Sequence, residues 1–88
     1  MYLSGILTVT LVEACNLRPM NKDGISSDPY CKFKLGQQKY KSKVMRRTLD
    51  PVWKERFEIR VYSDSSTLME LSVYDHEEFG FSDNFIGR

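Results

Sequence analysis

The feature that most limits what this chain can become is a two-residue hydrophobic period that returns in segment after segment. In Gly5 to Val12, Leu7, Val9 and Leu11 share one parity while Thr8 and Thr10 take the other. From Pro29 to Leu35, Cys31, Phe33 and Leu35 alternate with Tyr30, Lys32 and Lys34. From Lys39 to Val44, Tyr40, Ser42 and Val44 alternate with Lys39, Lys41 and Lys43. Trp53 to Tyr62 sets Phe57, Ile59 and Val61 against Arg56, Glu58 and Arg60, and Leu68 to Tyr74 sets Met69, Leu71 and Val73 against Glu70 and Ser72. A period of two puts successive side chains on opposite faces of an extended backbone, so each segment is a strand with one apolar face. The Lys54-Glu55-Arg56 cluster favours helix locally, but the spacing of Phe57, Ile59 and Val61 overrides it. Gly36-Gln37-Gln38 supplies a turn, and a further strand opens at Phe85-Ile86-Gly87. One-faced strands joined by turn chemistry predict an all-β chain, an antiparallel Greek-key β-sandwich.

At 88 residues the chain makes one small domain, and 41% apolar with 12% aromatic residues is enough for a core. Its formal charge of +1 excludes a whole-surface basic field, so no nucleic-acid partner is expected. Two cysteines, Cys15 and Cys31, are too few for a disulfide framework and lack zinc spacing with His76, which points to a reducing compartment. Both read as small buried hydrophobes. The run from Ile6 to Val12 is broken by Thr8 and Thr10 and follows no basic leader, so a cytoplasmic location is expected. A single His, no nucleophilic trio and no phosphate-cradling glycine loop argue against an enzyme.

Two segments are long for loops in so small a domain, Asn16 to Asp28 and Asp75 to Asn84. The first carries Asp23 and Asp28, the second Asp75, Glu77, Glu78 and Asp83. Hard oxygen donors on irregular backbone suit calcium better than magnesium or zinc. Two carboxylates about 5 Å apart repel by roughly 3 kcal/mol at an effective dielectric near 20, so convergent acids call for a cation. The competing possibility is that these acids are solvated and never meet.

Lys32, Lys34, Lys39, Lys41 and Lys43 share strand parity on neighbouring strands and predict a basic stripe on one outer face. Such a stripe either attracts an anionic leaflet, at about 1 kcal/mol per lysine, or guards a sheet edge against pairing. Phe79 and Phe81 flank Gly80 inside the second acidic loop, and Met20 sits in the first. These three are candidates for insertion between lipid headgroups, against simple packing among the loops.

Ser27-Asp28-Pro29-Tyr30, Lys41-Ser42-Lys43, Thr48-Leu49-Asp50-Pro51-Val52-Trp53, Val73-Tyr74-Asp75 and Phe85-Ile86-Gly87 form an ordered series that resembles a C2 domain. The likeness runs from about Gly5 to Arg88 and is greatest to the domains of multiple C2 and transmembrane domain proteins, then to extended synaptotagmins and synaptotagmins. The resemblance implies an eight-stranded sandwich whose loops at one end bind Ca2+ and then anionic phospholipid. It places Asp28 and Asp75 at ligand positions and Glu77 where the family usually has Asp. Lys22 stands where the first loop usually carries an acid, with Asp23 one residue late. The second loop is one residue long, which leaves either Asp83 or Asn84 as the last ligand. Lys41, Lys43, Tyr30 and Trp53 fall where the family has a phosphoinositide headgroup site.

The resemblance also implies further strands after Phe85, so residues 1–88 are expected to be a single partial domain of a larger, membrane-anchored parent, with an open edge strand and poor stability alone. Two functions follow. One is calcium-dependent binding of phosphatidylserine and phosphoinositide membranes. The other is a calcium-independent protein-interaction module that uses the basic face or the open edge.

Overall fold

The computed structural model describes residues 3–62, 68–77 and 82–88. Six strands follow one another: β1 (Leu3–Glu13), β2 (Pro29–Leu35), β3 (Gln38–Lys41), β4 (Val52–Tyr62), β5 (Met69–Asp75) and β6 (Asn84–Gly87). They form two antiparallel sheets, β1-β4 and β3-β2-β5-β6. Each expected strand is present, and the expected β-sandwich stands. Between Gly5 and Leu11 the β1-β4 register is regular, with Leu7 opposite Ile59 and Val9 opposite Phe57, so inward residues face inward residues.

The apolar parities meet between the sheets. Leu11, Cys31, Phe33, Leu35, Trp53 and Ile59 form the buried cluster, with Val9, Tyr40, Phe57 and Val73 packed against it. Phe33 sits edge-on to Phe57 with ring centroids 5.0 Å apart and stacks on Tyr40 at 5.1 Å, so β4 lies beneath the β2-β3 side of the larger sheet. Leu7 and Leu71 have core parity yet remain 38% and 39% exposed. Cys31 is fully buried, which raises its thiol to about 11, with a smaller contribution from Glu55. Cys15, in contrast to expectation, is exposed.

β3 is shorter than the alternation of Lys39 to Val44 predicts, for a local reason. The Ser42 N–H still donates to the Cys31 carbonyl at 2.8 Å, but the Cys31 N–H is taken at 2.8 Å by the Ser42 hydroxyl, which donates to the Lys43 carbonyl at 2.9 Å, so a side-chain bond stands in for the return ladder bond. Beyond it, Pro29 offers only a carbonyl, which Met45 N–H takes at 2.9 Å. The chain therefore leaves the ladder after Lys41.

Candidate functional site

The β2-β5 register builds the site. Pro29 pairs with Asp75, so Asp28, just before β2, and His76, just after β5, emerge at the same end of the sheet. The two acidic segments meet there directly: the Asp28 N–H donates to Asp75 Oδ1 at 2.7 Å, and the His76 N–H to the Asp28 carbonyl at 2.9 Å. Asp75 is completely buried. Its other oxygen accepts from Asn84 Nδ2 at 3.2 Å, and the same amide donates to Glu77 Oε1 at 2.7 Å. Asp75 beside it holds the Glu77 carboxyl above the usual range, reinforced by burial and only partly offset by Asn84 and the charge of Lys22.

The remaining acids are held elsewhere. Asp28 Oδ1 accepts the Arg47 N–H at 2.8 Å and Asn21 Nδ2 at 3.2 Å, while its Oδ2 lies 3.7 Å from an Arg46 guanidinium nitrogen. Asp23 turns back on its own loop. It accepts from the N–H groups of Ile25 and Ser26, both at 2.9 Å, and from the Ser26 hydroxyl at 2.5 Å, with Arg47 at 3.7 Å. The Ser26 hydroxyl, the Ile25 N–H and lesser partners lower its pKa against a small burial effect. Asp83 points away from Asp75: it accepts the Tyr30 hydroxyl and the Glu77 N–H, and His76 Nδ1 lies 3.5 Å away. Burial pushes the Asp83 carboxyl up, but the Glu77 N–H, Tyr30, His76 and Lys32 together hold it below the usual value. Of the two candidates for the last ligand, the geometry puts Asn84, not Asp83, against the Asp75-Glu77 pair. Among the described residues no three Asp, Glu, His or Cys side chains are gathered as a ready metal set.

The donor set nonetheless fits calcium in kind. Asp75, Glu77, Asn84 and Asp28 offer hard oxygens at one sheet end.

On the outer face of the larger sheet, Lys32 pairs with Lys41 and Lys34 with Lys39 across β2-β3. All four are exposed, and Lys32, Lys34 and Lys39 line an open cavity of about 240 Å³ together with Glu70, Ser72 and Tyr74. The Lys32 ammonium lies 4.7 Å from the Tyr74 ring centre, and Tyr74 stacks on Tyr30 at 5.9 Å. Lys43 lies past the end of β3, with its N–H on Glu55 Oε2 at 2.9 Å, outside this register. Tyr30 is 4% exposed, and its hydroxyl, raised in pKa by burial and by Asp83, is committed to that carboxylate. Trp53, at a position the resemblance assigns to a headgroup site, lies inward. It is 5% exposed within the core, because its parity on β4 matches that of Phe57 and Ile59.

Met20 is only half-buried, its N–H bonded to the Ser26 carbonyl at 3.1 Å and the Ser27 hydroxyl at 2.9 Å. Phe79 and Phe81, with Glu78, lie outside the described residues. Sequence reasoning missed Ile25, which is 73% exposed at the tip of the first loop. The signal was an isolated β-branched apolar residue directly after Gly24 among polar neighbours. It also missed Arg46 and Arg47, whose adjacency to the Lys41-Ser42-Lys43 block disguised a separate role at the acids.

Comparison with known proteins agrees with this fold. A family model described as C2 domain matches residues 5–88. Multiple C2 and transmembrane domain-containing protein 1 of Mus musculus is 45% identical over 84 residues, which is 96% of this chain and 9% of the relative. The chain thus spans less than a tenth of that protein. The solved tandem C2 domains of Extended-Synaptotagmin 2, calcium bound, superpose with a TM-score of 0.83 at 28% identity, covering 98% of this chain and 33% of that one. A C2 domain of plant Extended Synaptotagmin 1 gives 0.79 at 30% identity, covering 99% and 71%.

Proposed function

The chain belongs to the C2 domain family, and from that premise we propose that it binds Ca2+ at the Asp28-Asp75 end and, through it, anionic phospholipid membranes. The observation that carries this reading is the 2.7 Å bond from the Asp28 N–H to Asp75 Oδ1, which joins the two acidic segments at one sheet end. Asp75, Glu77 and Asp28 supply the carboxylates, with Asn84 as a neutral oxygen donor. Asp23 and Asp83 serve in the outer part of the site, each through rotation away from its present hydrogen bonds. Bound calcium supplies the positive charge that reverses the sign of the loop end and bridges carboxylate to lipid phosphate. Ile25, with Met20, Phe79 and Phe81, then meets the headgroup layer with apolar surface instead of with repelled acids.

Lys32, Lys34, Lys39 and Lys41 form a second contact surface that favours phosphatidylserine and phosphoinositides without any metal. Lys43, Tyr30 and Trp53 support that face from beneath and beside it. The role is that of a non-catalytic binding module in one partial domain, on the cytoplasmic side of a membrane to which a larger parent is anchored. The Mus musculus relative's name, which joins C2 and transmembrane domains, supports that setting. A protein partner at a sheet edge is the second reading, favoured by β1, which pairs only with β4 among the described residues and carries no charge from Leu3 to Val12.

The test is calorimetric titration with calcium, followed by co-sedimentation with phosphatidylcholine vesicles with and without phosphatidylserine, in calcium and in chelator. Saturable calcium heat together with chelator-sensitive sedimentation supports the reading. Binding to phosphatidylserine vesicles that chelator leaves unchanged refutes it.

A further inference from the structure

The strand that begins at Asn84 is irregular just beyond it. The β5-β6 register moves from Phe85 to Gly87 on β6 while it moves only from Tyr74 to Val73 on β5, so Ile86 is the extra residue of a β-bulge. Arg18, on the first acidic loop, donates from Nη2 to the Ile86 carbonyl, and the Phe85 carbonyl lies 3.5 Å from the same nitrogen. The Arg18 carbonyl in turn accepts the Ser27 hydroxyl at 2.7 Å, and that hydroxyl oxygen accepts the Met20 N–H at 2.9 Å. Ser27 is completely buried and immediately precedes Asp28. A closed circuit results. Asp28 reaches Asp75 Oδ1 through its N–H at 2.7 Å, and Asn84 reaches Asp75 Oδ2 through its amide at 3.2 Å. From Asn84 the chain runs along β6 to Ile86, across to Arg18, and through Ser27 back to Asp28.

We propose that Arg18 is a positioning residue for the calcium end: it fastens the first acidic loop to the β6 bulge, so that Asp28 and Asn84 are held at the two oxygens of Asp75 before the ion arrives. The inference rests on the proposed calcium binding and adds the device that sets its geometry. The carbonyls of Phe85 and Ile86 belong to the main chain, so Arg18 acts on the ligands through the backbone that carries them. A guanidinium on a carbonyl makes a charge-assisted bond, stronger than a neutral one. Calcium affinity follows the rigidity of the site, and a loop ordered beforehand spares binding the entropy of ordering it. The sign of the effect separates this role from plain electrostatics. A bystander cation repels a dication, so neutralising it would tighten calcium binding; loss of a positioning residue weakens it.

The discriminating variant is R18M, which keeps an unbranched stem and removes the donors. Its calcium affinity by calorimetry is expected to weaken roughly fivefold, equivalent to about 1 kcal/mol. R18K, which returns a donating cation, should recover part of the loss. The rise in melting midpoint on adding calcium should shrink in R18M, whereas a role confined to stability would lower the midpoint equally in chelator and in calcium. In chelator, the Asp28 amide proton should exchange with solvent several-fold faster in R18M than in the parent, as read by NMR. If R18M does not fold, R18K carries the same test with smaller losses, and parity with the parent in both affinity and exchange overturns the proposal. Calcium affinity in R18M equal to or tighter than the parent's overturns it, whatever the midpoint does, and so does unchanged Asp28 exchange. Absence of calcium heat in the parent, with faster exchange in R18M, would instead defeat the underlying reading.

Discussion

A pair of substitutions separates the hydrogen-bonding role of Asp75 from the calcium ligation proposed for it. It is wholly buried, and Oδ1 is the acceptor for the Asp28 N–H at 2.7 Å. In D75N the amide oxygen can keep that bond. The bond becomes neutral, which forfeits about 1 kcal/mol of the difference between charge-assisted and ordinary hydrogen bonds. The new amide nitrogen would face Asn84 Nδ2, now 3.2 Å from Oδ2, as donor against donor. A turn of the Asn84 amide removes that conflict, and loss of the charge relieves Glu77, so D75N without calcium should melt within about 5 °C of the parent. In D75A the Asp28 N–H loses its acceptor altogether, at about 1–3 kcal/mol, with a small cavity added. A midpoint lower by roughly 10–20 °C is expected for a chain of this size. Calcium at about one hundred times its Kd should add about 2.7 kcal/mol to the parent and almost nothing to either variant. Thermal unfolding followed by circular dichroism, in chelator and in calcium, measures all of this. If D75N loses as much stability as D75A, acceptor geometry is not what Asp75 provides. If D75N still gains from calcium, Asp75 is not a ligand.

Replacing Lys32, Lys34, Lys39 and Lys41 by Ala should weaken chelator-insensitive binding to phosphatidylserine vesicles by up to about 1 kcal/mol per lysine and flatten its salt dependence, as read by sedimentation across a salt series. The calcium heat should be unaffected. I25S should leave calcium affinity alone and reduce vesicle binding at saturating calcium roughly tenfold, as removal of one exposed aliphatic anchor predicts. S42A should strand the buried Cys31 N–H, now bonded at 2.8 Å, and cost about 1–3 kcal/mol in chemical unfolding. Because the Asp83 pKa is lowered on folding, its contribution is fully present above the unfolded value near 4 and is lost as pH falls through the folded value. Y30F removes one of the donors that hold Asp83 down, so the difference in stability between Y30F and parent should shrink below about pH 4 in an acid titration.

The strands were legible because their signal is local. Parity alone places Phe33, Leu35, Phe57 and Ile59 inward and Lys32, Lys34, Lys39 and Lys41 outward, as observed. The failures are places where a side chain competes with the backbone. Ser42 has inward parity, but its hydroxyl takes the Cys31 N–H and ends β3 before Lys43, an outcome no alternation of apolar residues encodes. Trp53 follows its own parity into the core, although the resemblance assigns its position to a headgroup site.

Carboxylate orientation was the least legible layer, for a physical reason. Position along the chain fixes where a Cα goes, whereas the direction of Asp23, Asp83 or Asn84 is chosen by donors brought in from distant segments. Asp83 turns to Tyr30, far away in sequence, and Asn84 is left to face Asp75 and Glu77. Asp28 turns to Arg46 and Arg47, which arrive on the segment after β3. The meeting of the two acidic loops, by contrast, does follow from strand parity once one register is known. Lys34 opposite Glu70 and Lys32 opposite Ser72 keep Phe33, Leu71, Cys31 and Val73 on the core side. A slip of one residue would turn the whole apolar row of either strand to solvent. That same register carries Pro29 opposite Asp75, so the packing of the core leaves Asp28 and Asp75 no choice but to adjoin. Hydrophobic burial thereby sets the Asp28 backbone N–H against the Asp75 carboxylate and brings the two acidic loops to one sheet end.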